Sequence, residues 1–231
     1  MKKVLLSTAT VVTRKDIHKI LMSEVVSEDL DHSAPRSDAG ILFSIDPSSG
    51  EVEDKYFGKK NVCTGLFETI LHLTCSDKAQ FRYNKISLLG EKTSCNPHSN
   101  TVSFSCTLSS LYTPMVNLEK EEREALSYLL DKPLDETPQR VSTQKKIPVE
   151  DDNALDALTS RFTNKGIEAK LSYISPAMNV YIDKTNKKRI PVRTVSGTLS
   201  GYPEDISSLM KEGIGKGKNY GLGMIIPEVK E

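Results

Sequence analysis

His18 is a residue whose type could serve acid–base chemistry, and Lys15 is a cation close to it in sequence. They lie three positions apart, so in a helix they share one face. An imidazole with a pKa of about 6.5 can accept and donate a proton near neutrality. Ile17, Ile20 and Leu21 place His18 beside an apolar face, however, and from the residues alone a half-buried structural histidine is the simpler interpretation. Lys15 could equally be a solvated surface lysine.

A second candidate for chemistry is the stretch KEGIGKGKNYGLGMIIP, which holds five of the chain's 13 glycines. These are Gly213, Gly215, Gly217, Gly221 and Gly223. A glycine costs about 0.5–1 kcal/mol relative to alanine in a regular element, so the cluster indicates positive φ angles or a close approach to the backbone. Lys216 and Lys218, together with bare N–H groups, suit phosphate. Close packing of backbone without any ligand is the alternative.

Basic residues also cluster between Tyr181 and Arg193, with Asp183 as the one acid among them. The cluster contains Lys184, Lys187, Lys188, Arg189 and Arg193. The whole chain carries 31 Lys and Arg against 31 Asp and Glu, so its neutral sum can hide a basic face. Such a face could contact phosphates, and a solvated turn is the alternative.

Several function classes are disfavoured. The four cysteines form no CxxC pair and show no zinc spacing with histidine, so we predict no metal and no cofactor. The glycines follow a helix instead of opening one, and no nucleotide-binding glycine motif is present, which argues against a nucleotide-binding protein. The amino-terminal apolar run is short and interrupted, which favours a strand over a signal peptide. No run approaches the ~20 apolar residues of a membrane helix. We predict a cytoplasmic protein with no membrane partner.

The elements that must position these residues belong to an α+β fold. Residues 2–12 are rich in β-formers and lead into a helix that Thr13 can cap. The segments ILFSID, TGLFETILHLTCS, AQFRYNKISLL and TVSFSCTLSSL are predicted strands, and residues 118–131 a second helix. Residues 132–148 are interpreted as a linker, and after them predicted helices and strands alternate again.

The carboxyl-terminal part repeats this alternation of elements. NALDALTSRFTNKG predicts a helix, and a long hairpin with KTNKK at its tip follows it. PEDISSLMKEG predicts a further helix and GLGMIIPEV a last strand. We therefore predict tandem ferredoxin-like (RRM-like) domains at 1–131 and 149–231. The second domain carries the basic hairpin and the glycine-rich loop.

This order of hairpin, helix and glycine stretch resembles the carboxyl end of CRISPR repeat-processing endoribonucleases of the RAMP superfamily, closest to those of type I-E Cascade systems or a type IV relative. That family's signature is G-[IV]-G-x-x-K/R-x-x-G-x-G-L-L. Here residues 213–223 fall in register with it, and Met224-Ile225 replaces the Leu-Leu pair. The start, KKVLLSTATVVTRKDIHKIL, resembles the family's strand and the helix bearing its catalytic histidine, which His18 matches. FRYNKISLLGEK resembles a basic segment of the family loosely, without its Asn-Pro.

The resemblance implies an enzyme that binds the stem-loop of a CRISPR repeat and cuts once at its 3′ base. The reaction would be metal-independent: the ribose 2′-OH attacks the adjacent phosphate and leaves a 2′,3′-cyclic phosphate and a 5′-OH. Family members often remain on the product and join a Cascade-like effector complex. A subunit of the same fold that holds a hairpin without cutting it is the alternative.

The resemblance also assigns roles to residues. His18 would be the general acid or base, with His32 as second choice. Lys15 stands where several relatives have a tyrosine and would stabilise charge on the phosphorane. The RNA-binding set that the resemblance and the basic residues predict is Arg82, Lys85, Lys92, Lys184, Lys187, Lys188, Arg189, Arg193, Lys216 and Lys218.

Overall fold

The structure is a computed structural model that describes residues 1–26, 39–49, 51–53, 56–76, 79–91, 100–143, 146–183, 185 and 188–228. His32, Lys92, Lys184 and Lys187 of the predicted site lie outside the described residues. The chain divides into two compact units. The larger contains residues 1–110 and 151–231, and the smaller contains residues 111–150.

The described residues in the first half of the larger unit form a ferredoxin-like sheet and the 11-residue helix α1 (Arg14–Glu24). Its strands are β1 (Lys2–Thr8), β2 (Val25–Val26), β3 (Leu42–Ile45), β4 (Glu51–Glu53), β5 (Tyr56–Phe57), β6 (Lys59–Lys60), β7 (Phe67–Thr74), β8 (Gln80–Phe81) and β9 (Ile86–Glu91). The main sheet has the order β3-β7-β1-β9, and all its neighbours are antiparallel. In β1, Val4 and Leu6 alternate inward and are fully buried, as a half-buried strand requires.

The second half repeats this topology. Its elements are β10 (Thr101–Ser109), α3 (Ala154–Thr163), β15 (Glu168–Ile174), β16 (Met178–Tyr181), β17 (Arg189–Ser200), α4 (Pro203–Glu212) and β18 (Ile226–Pro227). The main sheet has the order β15-β17-β10-β18 with antiparallel neighbours, and β16 pairs with β17 as a fifth strand, just as β6 pairs with β7 in the first sheet. Each half has its own apolar core, centred on Ile17, Leu21 and Leu71 in one half and on Phe104 and Phe162 in the other. The α+β class and the tandem ferredoxin-like fold predicted from the sequence are confirmed.

The smaller unit consists of α2 (Lys120–Leu130) and two short antiparallel strand pairs. The strands are β11 (Leu111–Tyr112), β12 (Met115–Asn117), β13 (Arg140–Ser142) and β14 (Ile147–Pro148). β11 pairs with β14, and β12 pairs with β13. Among the described residues, none of the helices is long and apolar enough to cross a membrane.

These units differ from the division predicted at residues 131 and 149. Strand β10 pairs with β17 over residues Thr101–Ser109 and is therefore the first strand of the second sheet. Residues 111–150, part of which the sequence indicates as a linker, form a unit inserted between that strand and α3. Alternation along β10 predicts a strand but does not reveal which sheet it joins, and the insertion separates it from its partners in sequence.

Candidate functional site

Helix α1 starts at a capping box that fixes its first turn. The Thr13 N–H donates to Asp16 Oδ2 at 3.0 Å, and the Asp16 N–H donates back to Thr13 Oγ1 at 3.3 Å. His18 follows on the buried face of the helix, together with Ile17, and is 7% exposed. Its ring centroid is 6.5 Å from that of Phe43, a residue of β3. The helix thus presents the imidazole beside the strand at the edge of the first sheet.

The glycine-rich loop also packs against Phe43. All five glycines have φ between 68° and 92°, the left-handed region that favours glycine. A Cβ on Gly221 would lie 2.7 Å from Phe43 Cε2, and one on Gly223 would lie 2.0 Å from the carbonyl oxygen of Ile214. Both predicted reasons for the cluster, positive φ and close approach, therefore operate here, and protein atoms are the groups approached at these two positions.

Arg14 ties this loop to α1. Its guanidinium donates from Nη1 to the carbonyl oxygen of Tyr220 at 3.0 Å and to that of Gly221 at 3.5 Å. The same group lies over the ring of Phe57, 5.0 Å from its centroid, and the side chain is 6% exposed. A buried, charge-assisted contact of this kind is among the stronger hydrogen bonds in proteins. The loop of the second half is therefore fastened to the first turn of the histidine-bearing helix.

The tip of the basic hairpin meets the same turn of α1. Lys15 Nζ lies 2.6 Å from Asp183 Oδ2, and the Lys15 N–H donates to the carbonyl oxygen of Ile182 at 3.1 Å. The first N–H groups of a helix have no partner within it, so this carbonyl satisfies one of them. The hydrogen bond from Lys15 holds the pKa of the Asp183 carboxyl below its usual range, and Asp183 in turn raises the pKa of Lys15.

A third basic segment is fastened to the far end of α1. The backbone N–H of Arg82 donates to the carbonyl oxygen of Glu24 at 2.9 Å, and that of Asn84 donates to Glu24 Oε2 at 2.7 Å. Glu24 is 2% exposed, whereas Arg82 and Lys85 are exposed. An 11-residue helix is about 16 Å long. The segment of Arg82 and the tip of the hairpin are thus anchored at opposite ends of one short element.

The remaining predicted RNA-binding residues differ in their exposure to solvent. Lys188, Arg189 and Lys216 are exposed, and Arg189 lies over the Tyr181 ring at 4.3 Å. Lys218 is half-buried, and burial followed by repulsion from Lys165 lowers its pKa.

Arg193 departs from its predicted role. It is 3% exposed, and its guanidinium donates to the carbonyl oxygen of Ser175 at 3.0 Å, to Ser110 Oγ at 3.1 Å and to the Asp151 carboxylate. A guanidinium with these three partners has a structural task where the two segments of the larger unit meet. We therefore leave Arg193 out of the proposed RNA-contacting surface.

Four residues of this site are not indicated as site residues by the sequence: Arg14, Glu24, Phe43 and Asp183. Their partners in the site are distant in sequence, up to 207 positions for Arg14 and Gly221, so no local pattern indicates them. Within the part of the chain that the structure describes, no group of three or more His, Cys, Asp or Glu side chains could hold a metal ion.

Comparison with known proteins gives relatives by structure only. No protein-family model matches the sequence, and no curated protein matches it. The structure is similar to Cas6e of Escherichia coli K-12, with a TM-score of 0.56, 15% identity, and 98% and 97% of the two chains covered. It is similar to the CRISPR endoribonuclease Cse3 bound to a 19-nucleotide RNA, with a TM-score of 0.53, 12% identity, and 99% and 100% covered. A Cas6-related protein of Pyrococcus furiosus gives a TM-score of 0.53 at 11% identity, with 100% and 99% covered.

These matches span both ferredoxin-like halves and the insertion, because they cover at least 98% of the chain. At 11–15% sequence identity these matches show the fold alone. The chain therefore has, along nearly its whole length, the fold of the Cas6 group of CRISPR-associated proteins.

Proposed function

We propose that this protein is a metal-independent endoribonuclease that binds the stem-loop of a CRISPR repeat and cleaves the precursor RNA at the 3′ base of the stem. The observation that carries the proposal is the convergence on α1. The basic hairpin, the glycine-rich loop and the Arg82 segment are all fastened to the one helix that bears the candidate acid–base residue. A fold shared with a CRISPR endoribonuclease bound to RNA supports it.

The RNA provides both the nucleophile and the leaving group, the protein transfers a proton at one of these two oxygens, and water exchanges the proton at the other. The ribose 2′-oxygen attacks the adjacent phosphorus, the bond from phosphorus to the 5′-oxygen breaks, and the products carry a 2′,3′-cyclic phosphate and a 5′-OH. One proton leaves the 2′-OH and one reaches the departing 5′-oxygen. His18 would transfer one of these protons, the task for which an imidazole is suited near neutral pH. Exposed cations such as Lys188 and Lys216 would contact phosphates, since A-form stems are recognised mainly through shape and backbone.

The decisive experiment incubates the purified protein with its repeat RNA in excess EDTA. We expect two fragments, with a 2′,3′-cyclic phosphate on the upstream one. A single 2′-deoxy substitution at the cut site should abolish cleavage while leaving binding intact, because it removes the attacking nucleophile and little else. Cleavage that requires added divalent metal, or that proceeds on the 2′-deoxy RNA, would contradict the proposal.

A non-cleaving RNA-hairpin-binding subunit is the second candidate. The burial of His18 and the ion pair of Lys15 with Asp183 favour it, since each of these contacts suits a structural role. It predicts tight binding of the repeat stem-loop with no cleavage in the same EDTA assay. Either protein could remain on its RNA and become part of a Cascade-like effector complex.

A further inference from the structure

Asp183 occupies the joint between the basic hairpin and the histidine-bearing helix. One carboxylate oxygen, Oδ2, lies 2.6 Å from Lys15 Nζ, and the other, Oδ1, accepts the N–H of Thr185 at 3.0 Å. The first contact holds α1, and the second closes the turn at the hairpin tip. Asp183 is 7% exposed and the adjacent Ile182 is 1% exposed, so the joint is packed as well as charged.

The backbone supports the same joint from both sides. Ile182 accepts from the Lys15 N–H at 3.1 Å and donates its own N–H to the carbonyl oxygen of Lys188 at 3.0 Å. The hairpin tip therefore cannot move away from α1 without breaking a helix-capping hydrogen bond and an ion pair together. Two exposed cations follow directly from this tip: Lys188, just before β17, and Arg189, the first residue of β17.

We infer that Lys15 and Asp183 are positioning residues: their pair sets the place of the His18 helix relative to the RNA-binding hairpin, and Lys15 acts through Asp183 instead of on the phosphate. The inference rests on the proposed function and adds to it an assignment of these two residues. His18 follows Lys15 by three positions, close to one helical turn, so a shift at Lys15 reaches the imidazole.

The charge balance separates this role from direct catalysis. An ammonium 2.6 Å from a carboxylate is nearly neutralised as seen from a phosphate further away. If Lys15 stabilised the phosphorane directly, removing Asp183 would free its charge, and cleavage would be unchanged or faster. If the pair positions the helix, removing either partner slows cleavage, and the two losses do not add.

The test compares Asp183→Asn, Lys15→Met and the double variant in single-turnover cleavage at saturating protein. The new amide of Asp183→Asn keeps an oxygen that can accept the Thr185 N–H, so this variant removes the charge while keeping the turn. We expect each single variant to be slowed about 10- to 100-fold, the range for a misplaced reacting group. The double variant should be slowed no further, and the Kd for repeat RNA should change less than about 3-fold in all three.

Lys19→Met is the matched control, because Lys19 is an exposed lysine of the same helix, one turn beyond Lys15. The charge of Lys19 also lowers the pKa of Asp183, but the residue that forms the ion pair with Asp183 is Lys15. The control removes the same kind of charge and should cleave at close to the wild-type rate. A wild-type rate for Asp183→Asn, or additive losses in the double variant, would overturn the positioning role.

Amide hydrogen exchange provides a readout that does not depend on cleavage. In Asp183→Asn the Lys15 N–H should exchange faster than in the wild type, since the joint that buries its bond to Ile182 is loosened. If the Lys15 N–H exchanged at the wild-type rate in Asp183→Asn, the ion pair would not anchor the helix, and the inference would be wrong even if the cleavage rates fell. If the wild type failed to cleave any RNA, the proposed function would fall, whereas faster exchange would still show that the pair anchors the helix.

Discussion

At the scale of single residues, His18 is buried beside Phe43, the residue against which the glycine-rich loop packs. Mutation of His18 can distinguish a role in proton transfer from a role in RNA binding. We expect His18→Gln to lower the single-turnover cleavage rate by about 10²- to 10⁴-fold, because a positioned proton donor or acceptor contributes that much. The Kd for repeat RNA should stay within about 2-fold, since a residue that is 7% exposed offers little contact surface. Quench-flow cleavage and filter binding measure the two quantities.

His72→Gln serves as the matched control for this prediction. His72, on β7, is similarly buried, at 6% exposed, but its Nε2 lies 3.1 Å from Asp46 Oδ2, an acid outside the proposed site. This variant should lose stability and keep its cleavage rate. Equal cleavage by His18→Gln and the wild type would remove His18 from the reaction.

Asp46 predicts how stability depends on pH. Burial alone would raise the pKa of this carboxyl, but hydrogen bonds from Ser48 and Lys3 outweigh it and hold the pKa well below its usual range. A depressed pKa stabilises the fold above the unfolded value of about 4 and loses this effect as the pH falls below it. We expect Asp46→Asn to cost about 2 kcal/mol of unfolding free energy at pH 7, and the difference from wild type to shrink between about pH 4 and pH 2. Urea unfolding across this range measures it, and a difference independent of pH would contradict the assignment.

Individual residues also show what a sequence can and cannot predict. His18 stands out through its place in a helix and a family resemblance, whereas Asp183 stands out only as the lone acid of a basic hairpin. Its importance comes from Lys15, 168 positions away. Arg193 is predicted as an RNA contact because it is basic, yet it alternates in phase with Val195, which is fully buried. Val192, of the opposite phase, is also buried, so alternation along β17 alone does not indicate which way the Arg193 side chain points.

At the scale of elements, alanine substitution in the glycine-rich loop tests whether its glycines are needed for close packing. Gly221→Ala should cost about 2–4 kcal/mol of unfolding free energy, from a left-handed backbone at φ +70° and from the contact with Phe43. Gly166→Ala is the control: its φ is +75°, but a Cβ there meets nothing within 4 Å. It should cost only the backbone part, about 1–2 kcal/mol. Equal losses in the two variants would show that close approach to Phe43 is unimportant.

The hairpin and the glycine-rich loop make a second prediction as RNA-binding elements. We expect Lys188→Ala and Lys216→Ala each to weaken binding of the repeat stem-loop at about 0.1 M salt. Each should also flatten the plot of log Kd against log salt by up to about 0.9, as the loss of one phosphate contact does. Lys120→Ala, on the Glu-rich helix α2, should change neither quantity. An unchanged slope in both hairpin and loop variants would exclude these elements from the interface.

Whether a segment forms a helix or a strand was largely predictable from the sequence, whereas the strand with which each strand pairs was not. Amphipathic periodicity located α1, and glycine and proline marked the ends of α3 and α4, because these signals are local. The pairing of β10 with β17 brings together residues about ninety positions apart, from Thr101–Ser200 to Ser109–Val192. Register of this kind depends on tertiary packing, which the pattern within one strand does not specify.

At the scale of the whole molecule, residues 111–150 form a compact unit of their own, inserted into the repeat of two ferredoxin-like halves. Its flanking residues, Ser110 and Asp151, both receive hydrogen bonds from Arg193, so the two cut ends of the larger unit lie close together. We expect a variant with residues 111–150 replaced by a Gly-Ser linker of about four residues to fold and to unfold cooperatively. Circular dichroism and thermal unfolding test this. A variant that is soluble but lacks a cooperative transition would show that the larger unit depends on the insertion.

The distance in sequence between Arg14 and Tyr220, 206 positions, has a consequence for the order of events during synthesis. A ribosome releases α1 early, whereas Tyr220, whose carbonyl oxygen accepts the hydrogen bond from Arg14, emerges 206 codons after it. Nascent chains would therefore carry His18 before the Arg14–Tyr220 contact can form, and under the proposed function cleavage of repeat RNA would begin only once translation has passed the glycines.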